Sequence, residues 1–148
     1  MSTNGDHRSS MTTSAQRISD LANLRGFTIL VLEDDPDTLE LLRAILSACG
    51  ARVLLADSIH HARGYLQTLR LDLVVSDLAL PSEDGLAFLR WLRGQRDPDV
   101  ARIPVVAVTA FYEDYPPTRA TDFAAYFRKP IPIDAFCRTV ADLLHERV

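Results

Sequence analysis

The chain has 148 residues, 24% of them charged and 47% apolar, which suits one globular domain. A net charge of −4 with scattered basic residues offers no bulk attraction for nucleic acid. No apolar run approaches the roughly 20 residues needed to cross a bilayer, and no segment has the form of a secretory signal.

Met1–Arg25 is rich in Ser, Thr, Asn and Asp and is expected to be a tail, disordered or weakly helical. Within it Met1–Ser14 is expected to be disordered, and Ile18, Leu21 and Leu24 then form a weak helical pattern ending at Gly26. The domain is placed at residues 26–148. Phe27–Leu32 predicts strand one. Asp35 followed by Pro36 predicts a helix start, with Asp35 as N-cap and Leu39, Leu42, Ile45 and Leu46 as the buried stripe. Gly50 stops that helix. Arg52–Ala56 is strand two, and Ser58 caps a helix carrying Ile59, Ala62, Leu66 and Leu69.

Leu71–Ser76 is strand three, apolar enough to be covered on both faces. Leu78–Asp84 is a loop, and Asp84-Gly85 closes it and starts helix three (Leu86, Leu89, Leu92) without any chemistry of its own. Asp97-Pro98-Asp99 breaks that helix. Ile103–Val108 is strand four. Pro116-Pro117 limits any helix in Phe111–Phe123 to about two turns, because proline cannot sit in a helix interior. Ala124–Arg128 is a short fifth strand, and Asp134, Phe136, Val140, Leu143 and Leu144 mark a last amphipathic helix. The alternation of strands and helices predicts βαβ units and a parallel sheet. Cys49 and Cys137 fall at helical core spacing and are expected to be reduced core thiols. The four histidines show no metal-ligand spacing.

Glu33, Asp34, Asp77, Thr109 and Lys129 each stand at or just past the end of an apolar run. In a parallel α/β sheet those ends share one edge, where such sheets carry their functional groups. Three carboxylates on one edge repel one another unless a cation lies among them, and a hard divalent ion such as Mg²⁺ suits oxygen ligands. A lysine and a hydroxyl beside that ion can bind phosphoryl oxygens. The set reads as a site where Asp77 is phosphorylated. Taken singly, each residue has a plainer reading: Asp77 as a loop cap, Thr109 as a strand-end residue, Lys129 as a solvated lysine. Asp35 is assigned to helix capping and left out of the site.

Four segments, in order, carry a family resemblance: Ile29-Leu30-Val31-Leu32-Glu33-Asp34-Asp35-Pro36, Ser76-Asp77 through Gly85, Val106-Ala107-Val108-Thr109-Ala110, and Tyr126-Phe127-Arg128-Lys129-Pro130. From Phe27 to Val148 the chain resembles the receiver domain of bacterial two-component response regulators. The resemblance implies a doubly wound, five-stranded parallel α/β sheet in the order 2-1-3-4-5. It implies that Asp77 is the phosphoacceptor and that Asp34, Asp77 and the Ala79 backbone carbonyl ligate Mg²⁺, with Glu33 acting through water and Mn²⁺ able to substitute. Lys129 would bind the Asp77 carboxylate and a phosphoryl oxygen, and Thr109 would bond the phosphoryl group once present. Tyr126 would be a switch residue that turns inward with Thr109, and Lys129–Pro130 would be a cis bond.

The implied partners are a sensor histidine kinase or histidine phosphotransfer protein, and an output protein. Neither nucleic acid nor membrane insertion is expected, and the setting is cytoplasmic. With no output module expected after the last helix, signalling would pass by protein contact or onward phosphotransfer. No enzymatic turnover is expected beyond self-catalysed phosphoacceptance and slow self-dephosphorylation, since Ala79 and Phe111 put apolar groups beside the phosphoryl position.

The chain departs from the family pattern between Thr109 and Lys129. That stretch is short and carries two prolines, so the fourth helix, between strands four and five, is expected to be shortened or distorted. Phe111, Tyr112 and Tyr115 cluster there, either as a contact patch or folded back over the short helix. Three other functions compete, the weakest a flavodoxin-like cofactor protein, since no Gly/Ser/Thr-rich phosphate loop follows strand one. A phosphorylation-independent receiver-like interaction domain would keep the fold without the chemistry. A Mg²⁺-dependent phosphatase of the haloacid-dehalogenase type would need Asp-x-Asp after strand one, where this chain has Glu33-Asp34-Asp35-Pro36.

Overall fold

The computed structural model describes residues 22–80, 85–110 and 123–146. Five parallel strands form one sheet in the order β2-β1-β3-β4-β5. They are β1 (Thr28–Leu32), β2 (Arg52–Ala56), β3 (Leu73–Asp77), β4 (Val105–Thr109) and β5 (Ala125–Arg128). The helices are α1 (Pro36–Ala48), α2 (Ile59–Thr68), α3 (Gly85–Arg93), the single turn α4 (Pro98–Ala101) and α5 (Ile133–Glu146). The expected sheet and strand order are both present.

Two apolar layers sandwich the sheet. Ile29, Val31, Val75 and Val108 face α1 and α5, meeting Leu42, Ile45, Leu46, Phe136 and Val140. Leu30, Leu32, Val74 and Ala107 face α2 and α3, meeting Ala62, Leu66, Phe88 and Leu92. Alternate residues along a strand point to opposite faces, so a strand covered on both sides must be apolar throughout. The runs Ile29–Leu32, Leu73–Val75 and Val105–Val108 are accordingly buried to the last residue.

Local chemistry sets the helix ends. Asp35 caps α1, its carboxylate accepting from the Thr38 N–H at 3.1 Å and the Thr38 hydroxyl at 2.6 Å. Pro36 fills the first turn, where its missing N–H costs nothing. Gly50 ends α1 at φ +100°, a conformation that favours glycine. Ser58 caps α2 through the His61 N–H at 3.1 Å.

Two features differ from the sequence reading. Asp97-Pro98-Asp99 does more than break α3. It starts α4, with Asp97 accepting from the Asp99 N–H at 2.9 Å. Arg93 then ties the end of α3 to this turn through the carbonyls of Ala101 (2.9 Å) and Ile103 (2.7 Å). The core also begins ahead of Phe27. Ala22 and Leu24 are buried in the α1–α5 layer, and the Leu24 N–H donates to the Cys49 carbonyl at 2.8 Å.

Cys49 and Cys137 are buried thiols that hydrogen-bond each other without a disulfide. No helix among the described residues is long and apolar enough to cross a membrane. The expectations for the segment before residue 22, for Pro116-Pro117, for the fourth helix and for Phe111, Tyr112 and Tyr115 fall outside the described residues.

Candidate functional site

Strand register assembles the site. Leu32 is level with Ser76, so Glu33 follows β1 beside Asp77, the last residue of β3. Asp77 is level with Val108, which puts Thr109 at the end of β4 one strand away. Thr109 pairs with Arg128, and the Lys129 N–H donates to the Thr109 carbonyl at 2.9 Å. The sheet order changes direction between β1 and β3, and the crevice at such a switch point is where α/β sheets bind ligands. All five residues expected at the site lie along this edge.

Side chains converge there. Lys129 Nζ donates to Glu33 Oε2 at 2.9 Å and to Asp77 Oδ2 at 3.2 Å. The other Glu33 oxygen accepts from the Asp35 N–H at 3.1 Å, and Asp77 Oδ1 accepts from the Ala79 N–H at 3.1 Å. Glu33 and Thr109 are fully buried, Asp77 is 4% exposed, and Asp34 is exposed. The Lys129–Pro130 bond is cis. Tyr126, level with Ala107 on β5, is half-buried against the α2–α3 layer.

Electrostatics follow from that crowding. Burial pushes the Glu33 carboxyl up to about 7, and the Asp77 charge adds to the rise while Lys129 and the Asp35 N–H oppose it. Burial would lower Lys129, but the hydrogen bond to Glu33 and the charges of Asp77 and Glu33 outweigh it and hold the ammonium above its ordinary value. Asp35 is held below its ordinary value by the Thr38 hydroxyl, as befits a cap.

Glu33, Asp34 and Asp77 each present one carboxylate oxygen within 4.8 Å of the others. Opposite oxygens around an octahedral Mg²⁺ stand about 4.2 Å apart, twice the metal–oxygen distance, so the cluster has the right scale and donor type for a hard cation. This acidic cluster can hold a metal.

Two neighbours of the site are given no part in it by the sequence reading. Ser76 is a buried hydroxyl inside an apolar strand, and it donates to the Asp77 carbonyl at 3.0 Å. A polar residue interrupting Leu73-Val74-Val75 is the signal that could have found it. The other is Gly85, whose N–H donates to the Leu78 carbonyl at 2.8 Å.

Comparison with known proteins agrees with this geometry. The family described as response regulator receiver domain matches residues 29–141. The polar-differentiation response regulator DivK of Brucella anthropi is 30% identical over 119 residues, covering 79% of this chain and 95% of that protein. The signal receiver domain of a signal transduction histidine kinase from Syntrophus aciditrophicus superposes with a TM-score of 0.73 at 31% identity, covering 82% of this chain and 92% of that one. The receiver domain of sensor histidine kinase PA1611 from Pseudomonas aeruginosa, solved with a magnesium ion coordinated in its active-site cleft, gives a TM-score of 0.73 at 26% identity, covering 81% of this chain and 98% of that one. With its sheet order, its acidic edge and these relatives in agreement, the chain belongs to the response regulator receiver domain family of two-component signalling.

Proposed function

We propose that Asp77 accepts a phosphoryl group from a phosphohistidine on a sensor kinase or histidine phosphotransfer protein. The signal then passes by contact with an output protein or by onward phosphotransfer, in the cytoplasm. The observation that carries this reading is Lys129 Nζ set between the carboxylates of Glu33 and Asp77 at the switch-point edge.

The Asp77 carboxylate is the nucleophile. One of its oxygens forms a bond to phosphorus as the phosphorus–nitrogen bond to imidazole breaks, and imidazole leaves with the electron pair. The product is an acyl phosphate on Asp77. The Ala79 N–H and the Lys129 ammonium hold the carboxylate in place before attack. Lys129 then shares its charge with a phosphoryl oxygen, and the Thr109 hydroxyl donates to another.

Asp34, Asp77 and the Ala79 carbonyl would hold Mg²⁺, or Mn²⁺ in its place, with Glu33 acting through water. When bound the ion supplies positive charge to the phosphoryl oxygens as negative charge moves among them. The oxygen donor set and the magnesium in the cleft of the Pseudomonas relative support this choice.

Ala79 offers only a methyl group two residues past Asp77, so nothing from that position orients an attacking water. Self-dephosphorylation is therefore slow, and Ala79→Asn shortens the lifetime of the phosphorylated protein.

Intact-mass spectrometry after incubation with Mg²⁺ and a small acyl or amino phosphodonor tests the reading. One added phosphate is expected, lost without Mg²⁺ and lost in Asp77→Asn. No phosphate together with no Mg²⁺ binding would favour a phosphorylation-independent interaction domain.

A further inference from the structure

Helix α3 starts with no room between itself and the strand that carries Asp77. A β-carbon at Gly85 would stand 2.8 Å from Leu78 Cα, 2.8 Å from Leu78 Cδ2 and 2.9 Å from the Asp77 carbonyl oxygen. Carbon atoms pack at about 3.5–4.0 Å, so a methyl group there must move backbone as well as a side-chain tip. Gly85 does not have positive φ, which among the described glycines belongs to Gly26 and Gly50. Its role is therefore space for close backbone approach, one of the uses peculiar to glycine. Gly64 in α2 makes the contrast, since its missing β-carbon would meet nothing within 4 Å.

The backbone that Gly85 touches also positions the carboxylate. The Asp77 carbonyl accepts from Ser76 Oγ at 3.0 Å, and the Leu78 carbonyl accepts from the Gly85 N–H at 2.8 Å. Leu78 is fully buried, so this junction cannot relax into solvent. The next residue, Ala79, donates to Asp77 Oδ1 at 3.1 Å, and Asp77 Oδ2 lies 3.2 Å from Lys129. A shift of a few tenths of an ångström at Asp77–Leu78 would pass directly into both contacts.

We propose that Gly85 is a positioning residue for the acceptor site: its missing side chain lets the N-terminus of α3 fix the backbone at Asp77–Ala79, and with it the seat of the metal and the phosphoryl group. The proposal rests on the reading of Asp77 as phosphoacceptor, and it assigns a function to a residue whose sequence context suggested only loop closure.

The test compares the 148-residue protein with Gly85→Ala, Gly64→Ala and Leu92→Val. Mg²⁺ affinity is measured by amide NMR titration, and phosphate gain from a small acyl phosphodonor by intact mass. Gly85→Ala is expected to weaken Mg²⁺ binding about tenfold or more, the scale seen when a support behind a metal ligand is lost. It should also slow phosphate gain at a fixed, subsaturating Mg²⁺ concentration. Gly64→Ala should match the parent protein. Leu92→Val, destabilised on the buried face of α3, should keep parent Mg²⁺ affinity, which separates positioning from loss of stability. A folded Gly85→Ala with parent affinity overturns the proposal.

If Gly85→Ala does not fold, the Gly85 amide resonance of the parent protein decides. It must move along the same Mg²⁺ titration curve as Asp77 and Ala79, and an unmoved resonance overturns the proposal. Asp77→Asn serves as the reference. If it binds Mg²⁺ like the parent and the parent gains no phosphate, the acceptor reading fails and takes this proposal with it. If Asp77→Asn behaves as expected and Gly85→Ala is normal, this proposal alone fails.

Discussion

Lys129 lies closer to Glu33 than to Asp77, with its Nζ 2.9 Å from Glu33 Oε2 and 3.2 Å from Asp77 Oδ2. One ammonium is therefore shared between two carboxylates, one of them fully buried. Replacing it by Met leaves both without their cation. Lys129→Met is expected to lose on the order of 2 kcal/mol of stability at neutral pH without metal, because an unpaired buried charge keeps its desolvation cost. Mg²⁺ should restore more stability to the variant than to the parent. Urea unfolding with and without Mg²⁺ measures both effects, and equal midpoints for variant and parent in metal-free buffer would contradict this role for Lys129.

Glu33 gives the metal-free protein a pH dependence of defined sign. Its folded value of about 7 lies above the ordinary 4.5, so the folded state binds that proton more tightly than the unfolded state does. The destabilisation is absent below about pH 4.5 and grows as pH rises through 7, reaching about 3 kcal/mol at most by pH 8. Glu33→Gln removes this component. Unfolding midpoints in chelator at pH 5, 6, 7 and 8 should fall more steeply for the parent than for the variant, and parallel curves would be the contrary result.

Asp35 tests the division between cap and site. Its carboxylate is taken up by Thr38, and it stands outside the Glu33–Asp34–Asp77 cluster. Asp35→Ala is expected to lower the melting temperature by a few degrees, as loss of an N-cap does, and to leave Mg²⁺ affinity within about twofold. A large loss of metal binding would place Asp35 in the site after all.

Tyr126 is proposed to change its packing on phosphorylation, when Thr109 is drawn toward the phosphoryl group. Such a switch needs only two packings separated by a few kcal/mol. The chain's single tryptophan, Trp91, lies on α3, so the probe is Tyr126→Trp in a Trp91→Phe background. Its fluorescence should change when phosphate is added and return as phosphate is lost. A signal that stays constant through phosphorylation removes Tyr126 from the switch.

The sheet and the positions of the site residues were legible because both follow from short-range rules. A strand buried on two faces is apolar almost throughout, so the first charged residue after it marks the edge, as Glu33 and Asp77 do. Part of what escaped depended on distant partners. Leu24 was grouped with a polar tail, since nothing nearby in sequence shows that it packs against α1 and α5. Asp97-Pro98-Asp99 was read as a break and Asp35-Pro36-Asp37 as a start, although the same three residue types begin a helix in both places. The difference lay in the weak apolar stripe after Asp99. The partnership of Lys129 with Glu33 was also missed, because the resemblance directed the lysine to Asp77 and the phosphoryl group. Burial of Glu33, which makes that partner necessary, is a property of the folded edge alone.

Lys129 stands 96 residues beyond the glutamate it neutralises and 52 beyond Asp77. On a ribosome, the acidic part of the edge is therefore made well before its ammonium. A nascent chain that has folded β1 to β4 still lacks the cation that β5 delivers. The acidic edge is therefore charge-balanced only once the last strand has docked.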